Sequence, residues 1–113
     1  MEKRIRALET QIEKIKEELV SIGDLRPGSL SEQYNVCGKA KCGCKEDPPR
    51  KHGPYYQLSF TRKGRSGTKF VKKHQVAIVK KQLKNYARLR TLVDRWIELS
   101  TELCQLHLER EEA

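Results

Sequence analysis

Four residues carry the clearest chemistry in this chain. Cys37, Cys42, Cys44 and His52 fall within sixteen residues, spaced C-x4-C-x-C-x7-H. Thiolate and imidazole are the ligands zinc prefers, placed tetrahedrally at about 2.0–2.3 Å. Gly38, Gly43 and Gly53 allow the sharp turns that so short a wrap needs, and Pro48-Pro49 shape the loop between. Lys39, Lys41 and Lys45 would offset the charge of three thiolates. Three Cys and one His close the coordination sphere, so the expected site is a structural Zn2+ rather than a catalytic one. The fourth ligand stays open between His52 and two others, Cys104 and His74. Cys104 falls on an apolar helical stripe, where it reads as a small core residue. His74 reads as an exposed residue near a helix start. An iron–sulfur cluster is the alternative cofactor, because cysteine ligates both.

No catalytic constellation accompanies the cysteines. Glu46 and Asp47 sit beside them, but two adjacent acids in a proline-rich loop read as solvated residues. A cysteine nucleophile needs a free thiolate and a base, and metal ligation takes those same thiolates. The phosphate-binding glycine loop and the His-Glu-x-x-His pattern are both missing. The expectation is a protein that is not an enzyme.

Charge supplies the second signal. The chain has 24 Lys or Arg against 15 Asp or Glu, a formal net charge of +9. Residues 1–22 are neutral, residues 23–75 carry +8, residues 76–95 carry +5 and residues 96–113 carry −4. An excess confined to one stretch favours a polyanionic partner. Candidate phosphate contacts are Lys39 and Lys41 in the cysteine loop, and Arg62, Lys63, Arg65 and Lys69 around a hairpin tip. Lys73, Lys80, Lys84 and Arg88, with Arg95, share one face of an ideal helix. Such groups release condensed counterions from a nucleic-acid backbone. The expected partner is DNA, with RNA as the alternative, since charge alone does not separate polyanions. Tyr55 and Tyr56 could stack on bases, although aromatic hairpin residues more often fill a core.

The elements that must position these groups follow from periodicity. Met1, Ile5, Leu8, Ile12, Ile15, Leu19 and Ile22 step by four and three, the a/d spacing of a coiled coil. Gly23 is placed to cap that helix, and Arg26-Pro27-Gly28 breaks the pattern. A second seam, Leu89, Leu92, Trp96, Leu99, Leu103 and Leu106, lies in a helical stretch from about Gln75 to Glu109. The same stretch has a further apolar line, Val79, Leu83, Tyr86, Val93, Ile97 and Cys104, so packing on two sides is expected. A hairpin within one chain and a seam with a second copy or a partner protein both fit. Residues 55–61 and 68–72 alternate as two strands around a basic, glycine-bearing turn. Residues 29–36 fit either a third strand or a short turn of helix.

The expected fold is therefore α+β: an N-terminal heptad helix, a zinc loop, a β-hairpin and a long C-terminal helix, with the helices packed as an antiparallel coiled coil. Residues 1–23 form the first helix, and residues 24–113 form one compact unit with it. At 113 residues the chain is one domain's worth, with too small a core for a deep-pocketed enzyme. The sequence has no apolar run long enough to span a membrane, so no membrane association is expected. Its charged start, Met1-Glu2-Lys3-Arg4-Ile5-Arg6, is unlike a secretory signal. A cytoplasmic, reducing setting is the expectation, which again favours metal over disulfides.

Gly28-Ser29-Leu30, Cys37-Gly38-Lys39, Cys42-Gly43-Cys44 and His52-Gly53-Pro54-Tyr55-Tyr56 together resemble a family of short prokaryotic proteins of uncharacterised function. Asn85-Tyr86-Ala87-Arg88-Leu89 is similar to that family's downstream signature, while Ala40 stands where the family often has proline. The resemblance implies a companion of mobile genetic elements. The function expected from residues and resemblance together is a small, basic, zinc-containing, DNA-binding accessory or regulatory factor. The alternative is an adaptor that joins a larger complex through its heptad seams.

Overall fold

The computed structural model describes residues 1–35, 43 and 52–112. Helix α1 spans Glu2–Ser21 and strands β1, β2 and β3 span Ser29–Asn35, His52–Arg62 and Arg65–Val71. A single 3₁₀ turn over Lys73–Gln75 leads into helix α2, Val76–Glu112. The class is α+β. The contacts group the chain into two compact units. Unit 1 is Met1–Leu25 with Lys84–Ala113, and unit 2 is Arg26–Leu83.

Unit 1 is an antiparallel helical pair. Ile5, Leu8, Ile12 and Ile15 are buried on α1, following the heptad spacing. Leu8, Ile12 and Ile15 form one cluster with Leu92 and Leu99 of α2, and Leu19, Ile22, Trp96, Leu103 and Leu106 pack around it. Polar pairs flank this seam and run in opposite directions along the two helices. Arg110 pairs with Glu2 at 3.4 Å, Arg4 with Glu102 at 2.6 Å, Arg95 with Gln11 at 3.4 Å, and Arg88 with Glu18. Arg4 binds Glu102 through both Nε and Nη2, and that hydrogen bonding holds the Glu102 carboxyl below the usual carboxylate range. Exposed pairs of this kind add little stability, so the seam supplies the energy and the pairs fix the register.

Two details of unit 1 differ from the sequence expectation. Gly23 does not end α1 in a left-handed conformation; Ile22 is already extended, at φ −69° and ψ 132°. That turn keeps the Ile22 side chain in the seam, and Asn85 Nδ2 secures the exit by donating to the Asp24 carbonyl at 2.8 Å. Cys104 is exposed rather than part of the core, as is Ile97. The α1 seam meets the Leu92–Leu99 line of α2, and Cys104 lies beside that line.

Unit 2 is a three-stranded antiparallel sheet, in the order β1-β2-β3, closed on one face by the start of α2. Leu58 has no exposed surface and clusters with Val71 and Val79; Leu30, Tyr56, Phe60, Val76 and Leu83 complete the core. The stretch 29–36 resolves as a strand over Ser29–Asn35: its period-two spacing puts Leu30 opposite Leu58, where it can bury. Lys63 and Gly64 turn the β2–β3 hairpin with φ of 53° and 76°, the positive pair required by a two-residue turn. Gly67 is needed for space, because a Cβ there would meet the Phe60 ring at 2.6 Å.

Replacing Ile12, which is 7% exposed, by Asp should destabilise unit 1 by about 2–5 kcal/mol, and further for the unpaired charge. Exposed Lys14→Ala should stay within about 0.5 kcal/mol. Urea unfolding of both variants checks the seam, and equal midpoints would contradict it.

Candidate functional site

Charge is divided unequally between the two units. Unit 2 contains fourteen Lys or Arg and three Asp or Glu, net +11. Unit 1 contains ten basic and twelve acidic side chains, net −2. The whole positive excess therefore lies in the sheet-bearing unit. Among its described residues Glu32 is the sole acid, and its carboxylate accepts a hydrogen bond from Tyr34 Oη at 2.8 Å. That bond holds the Tyr34 phenol above its ordinary pKa.

The hairpin concentrates this charge. Arg62 and Arg65 are register partners at the end of β2 and β3, with Lys63 in the turn between them. Like charges directly opposite each other weaken a hairpin. Three cations there make a repulsive tip that an anion would relieve. Lys69, opposite Leu58, is exposed on the helix-facing side of β3, and Lys73 is exposed in the 3₁₀ turn. Lys80 falls in unit 2, whereas Lys84 and Arg88 fall in unit 1. Arg88 is already hydrogen-bonded to Glu18, and Arg95 to Gln11. The helix face drawn on an ideal wheel is thus divided between two units, and part of it serves the helical pair.

The cysteine segment is bounded by structure on both sides. Asn35 at the end of β1 and His52 at the start of β2 are register partners, so the strand pairing holds the two ends of segment 36–51 together. Cys37, Cys42, Cys44, Lys39, Lys41, Lys45, Arg50 and Lys51 lie outside the described residues. Among the described residues no three His, Cys, Asp or Glu side chains gather as a metal group. Of the alternative ligands, His74 is exposed in unit 2 and Cys104 is exposed in unit 1. The donor set in reach of His52 by sequence is one that fits zinc.

The sheet has a second, open face. Two rows cross all three strands: Ser29, Ser59 and Thr68, then Ser31, Gln57 and Phe70. Gln33 faces Tyr55 in the next row, and Thr61 faces Ser66 toward the turn. Phe70 is 76% exposed and Tyr55 42%. Tyr56, one residue on, turns to the covered face and packs in the core. Near the turn, Gly28, the Ser29–Ser59–Thr68 row and the Thr61–Ser66 pair border a shallow depression of about 340 Å³. Thr61 and Ser66 share a hydrogen bond of 3.0 Å across it. Sequence reasoning missed Phe70 and this hydroxyl face. The signal was present as a polar line of period two in all three strands, but one sequence does not give the cross-strand register that aligns the lines.

The chain belongs to the family described as a domain of unknown function, DUF6788. The family's sequence pattern matches residues 5–81, which takes in most of α1, the whole sheet and the first turns of α2. Lys84 and Arg88 fall beyond the match. No curated protein and no solved structure matches the chain. Among the described residues no helix is long and apolar enough to cross a membrane.

Proposed function

We propose that this protein is a small, basic, zinc-containing nucleic-acid-binding protein without catalytic activity. The observation that carries the reading is the division of charge, +11 in unit 2 against −2 in unit 1. A surface meant only for solubility has no reason to collect its cations on one unit and leave the other slightly acidic. Lys and Arg at the hairpin tip, on β3 and at the start of α2 offer phosphate contacts of the sequence-independent kind. Lys39 and Lys41 add to them from the cysteine segment. DNA is the proposed partner, with RNA as the alternative. A role as accessory or regulatory factor of a mobile element rests on the resemblance of the cysteine, His-Gly-Pro-Tyr and Asn-Tyr-Ala-Arg motifs.

The proposed zinc is structural. Cys37, Cys42, Cys44 and His52 supply a closed set, and the Asn35–His52 pairing holds the ends of the segment that contains the thiols. A bound ion would fix the segment and its lysines against the sheet end, which would present them without supplying any reaction. Cysteine ligands must be deprotonated, so binding releases protons and weakens in acid.

One observation favours a second reading, a protein-interaction adaptor. Val93, Ile97 and Cys104 form an apolar line beside Trp96 that α1 does not cover, and it borders a depression of about 470 Å³. Under that reading the cations of unit 2 only aid solubility.

Two measurements test these proposals. Elemental analysis of purified protein should find about one zinc per chain; well under one, with no iron, contradicts the metal site. Titration of labelled nucleic acid by fluorescence anisotropy should show binding at low salt. Affinity should fall by about 10³- to 10⁵-fold from 50 to 200 mM salt for roughly six to ten phosphate contacts. Arg62→Ala and Lys63→Ala should weaken all sequences about equally. No binding to any duplex or single strand at micromolar protein would decide for the adaptor.

A further inference from the structure

We infer that the open face of the sheet is a stacking platform for unpaired bases, so that the preferred ligand of unit 2 is a single-stranded nucleic acid. The inference rests on the nucleic-acid reading above and specifies which form is bound. It starts from an anomaly of burial. Phe70 sits one pair from the end of the β2–β3 register, opposite Gln57, yet keeps 76% of its surface in water. Tyr55, two residues along β2 from Gln57 and on the same face, is 42% exposed. The two rings are therefore diagonal cross-strand neighbours, roughly 7–8 Å apart. Leaving a phenylalanine so exposed forgoes most of the stabilisation its burial would give.

The surroundings of the rings select the partner. The other side chains of the face are Ser29, Ser31, Gln33, Gln57, Ser59, Thr61, Ser66 and Thr68, without one aliphatic residue. A protein–protein contact gathers apolar residues at its centre, and this face has two separated rings in a polar field. Hydroxyls and amides can donate or accept, as base edges and sugars require. The cations stand at the two ends of the sheet: Lys72, two residues after Phe70, continues the open face just beyond β3, Lys63 lies in the turn, and Arg62 and Arg65 flank the turn on the alternation of the covered face. An exposed ring on the central strand and another on the edge strand, with cations at the ends of the sheet, match a strand of nucleotides whose bases stack on the rings and whose phosphates meet the cations.

The same geometry argues against a duplex on this face. In a duplex each base already stacks on its neighbours, so its π-face is not offered to Phe70 or Tyr55. A duplex could touch only the cationic margin. Stacking adds about 1–3 kcal/mol per base and tolerates any base, because every base has a π-face. The inferred specificity is for unpaired structure rather than for sequence.

Anisotropy of the full chain with a labelled single strand of about twelve nucleotides, as DNA and as RNA, tests this against a duplex of the same sequence. Phe70→Ala should weaken single-strand binding by roughly 5- to 150-fold, the range that 1–3 kcal/mol implies. It should leave duplex binding within about two-fold, and Phe70→Trp should retain single-strand affinity. The side chain is so exposed that neither substitution should disturb folding, and circular dichroism of each variant verifies this. Preference between the DNA and RNA strands assigns the source of the bases. Unchanged single-strand affinity in Phe70→Ala, with the wild type binding, overturns the platform and leaves the charge-based function standing. An equal loss on single strand and duplex also overturns it. Absence of wild-type binding to both forms removes the nucleic-acid reading itself.

Discussion

Leu58 is the residue on which unit 2 depends. It has no exposed surface, and it reaches that state because the short turn after β3 leads into α2, which brings Val76, Val79 and Leu83 back over the sheet. A three-stranded sheet this small has enough apolar material for one covered face only. Each strand alternates, so committing Leu30, Leu58, Phe60 and Val71 to the core commits the intervening residues to water. The open face is thus a necessary consequence of the buried one. What is not necessary is its content, and Phe70 and Tyr55 there are the residues on which the proposed use rests.

The helical pair of unit 1 solves a separate problem. Helix α1 would be marginal in isolation, and it becomes stable by burying Ile5, Leu8, Ile12 and Ile15. Its nearly equal numbers of basic and acidic side chains leave the unit near neutrality, and ion pairs such as Arg4–Glu102 and Arg110–Glu2 join the two helices. Unit 2 does the reverse. It tolerates Arg62 against Arg65 and keeps a single described acid, itself hydrogen-bonded. Self-repulsion of this kind lowers stability, and a polyanion bound to unit 2 would offset it. Scaffold and proposed ligand surface are therefore distinguished by their electrostatics as well as by their contacts.

The heptad helix was legible in the sequence because spacing alone determines which side chains can meet on a helix. The hairpin was legible from alternation, but its turn read as residues 62–67, whereas β2 and β3 pair as far as Arg62 and Arg65 and leave only Lys63-Gly64 between them. Residues 29–36 were ambiguous because eight residues with three apolar positions satisfy both periods, and only the presence of β2 alongside decides between them. The fate of the second apolar line of α2 was also hidden. Val79 and Leu83 pack on the sheet while Ile97 and Cys104 stay exposed, since the line keeps its partner only as far as the sheet extends. For the site, the charge excess could be read directly, but its division between units could not, because α2 contributes to both. Phe70 looked like an ordinary strand residue until the register placed it opposite Gln57.

The central claim is that unit 2 carries the ligand surface and unit 1 supports it. Hydrogen–deuterium exchange of the full chain, with and without a saturating single-stranded oligonucleotide, tests this most directly. The account predicts slowed exchange in Ser29–Asn35 and His52–Val71, with the seam residues of α1 and the acidic end of α2 unchanged. Slowed exchange confined to the helical pair, centred on Val93–Cys104, would contradict it.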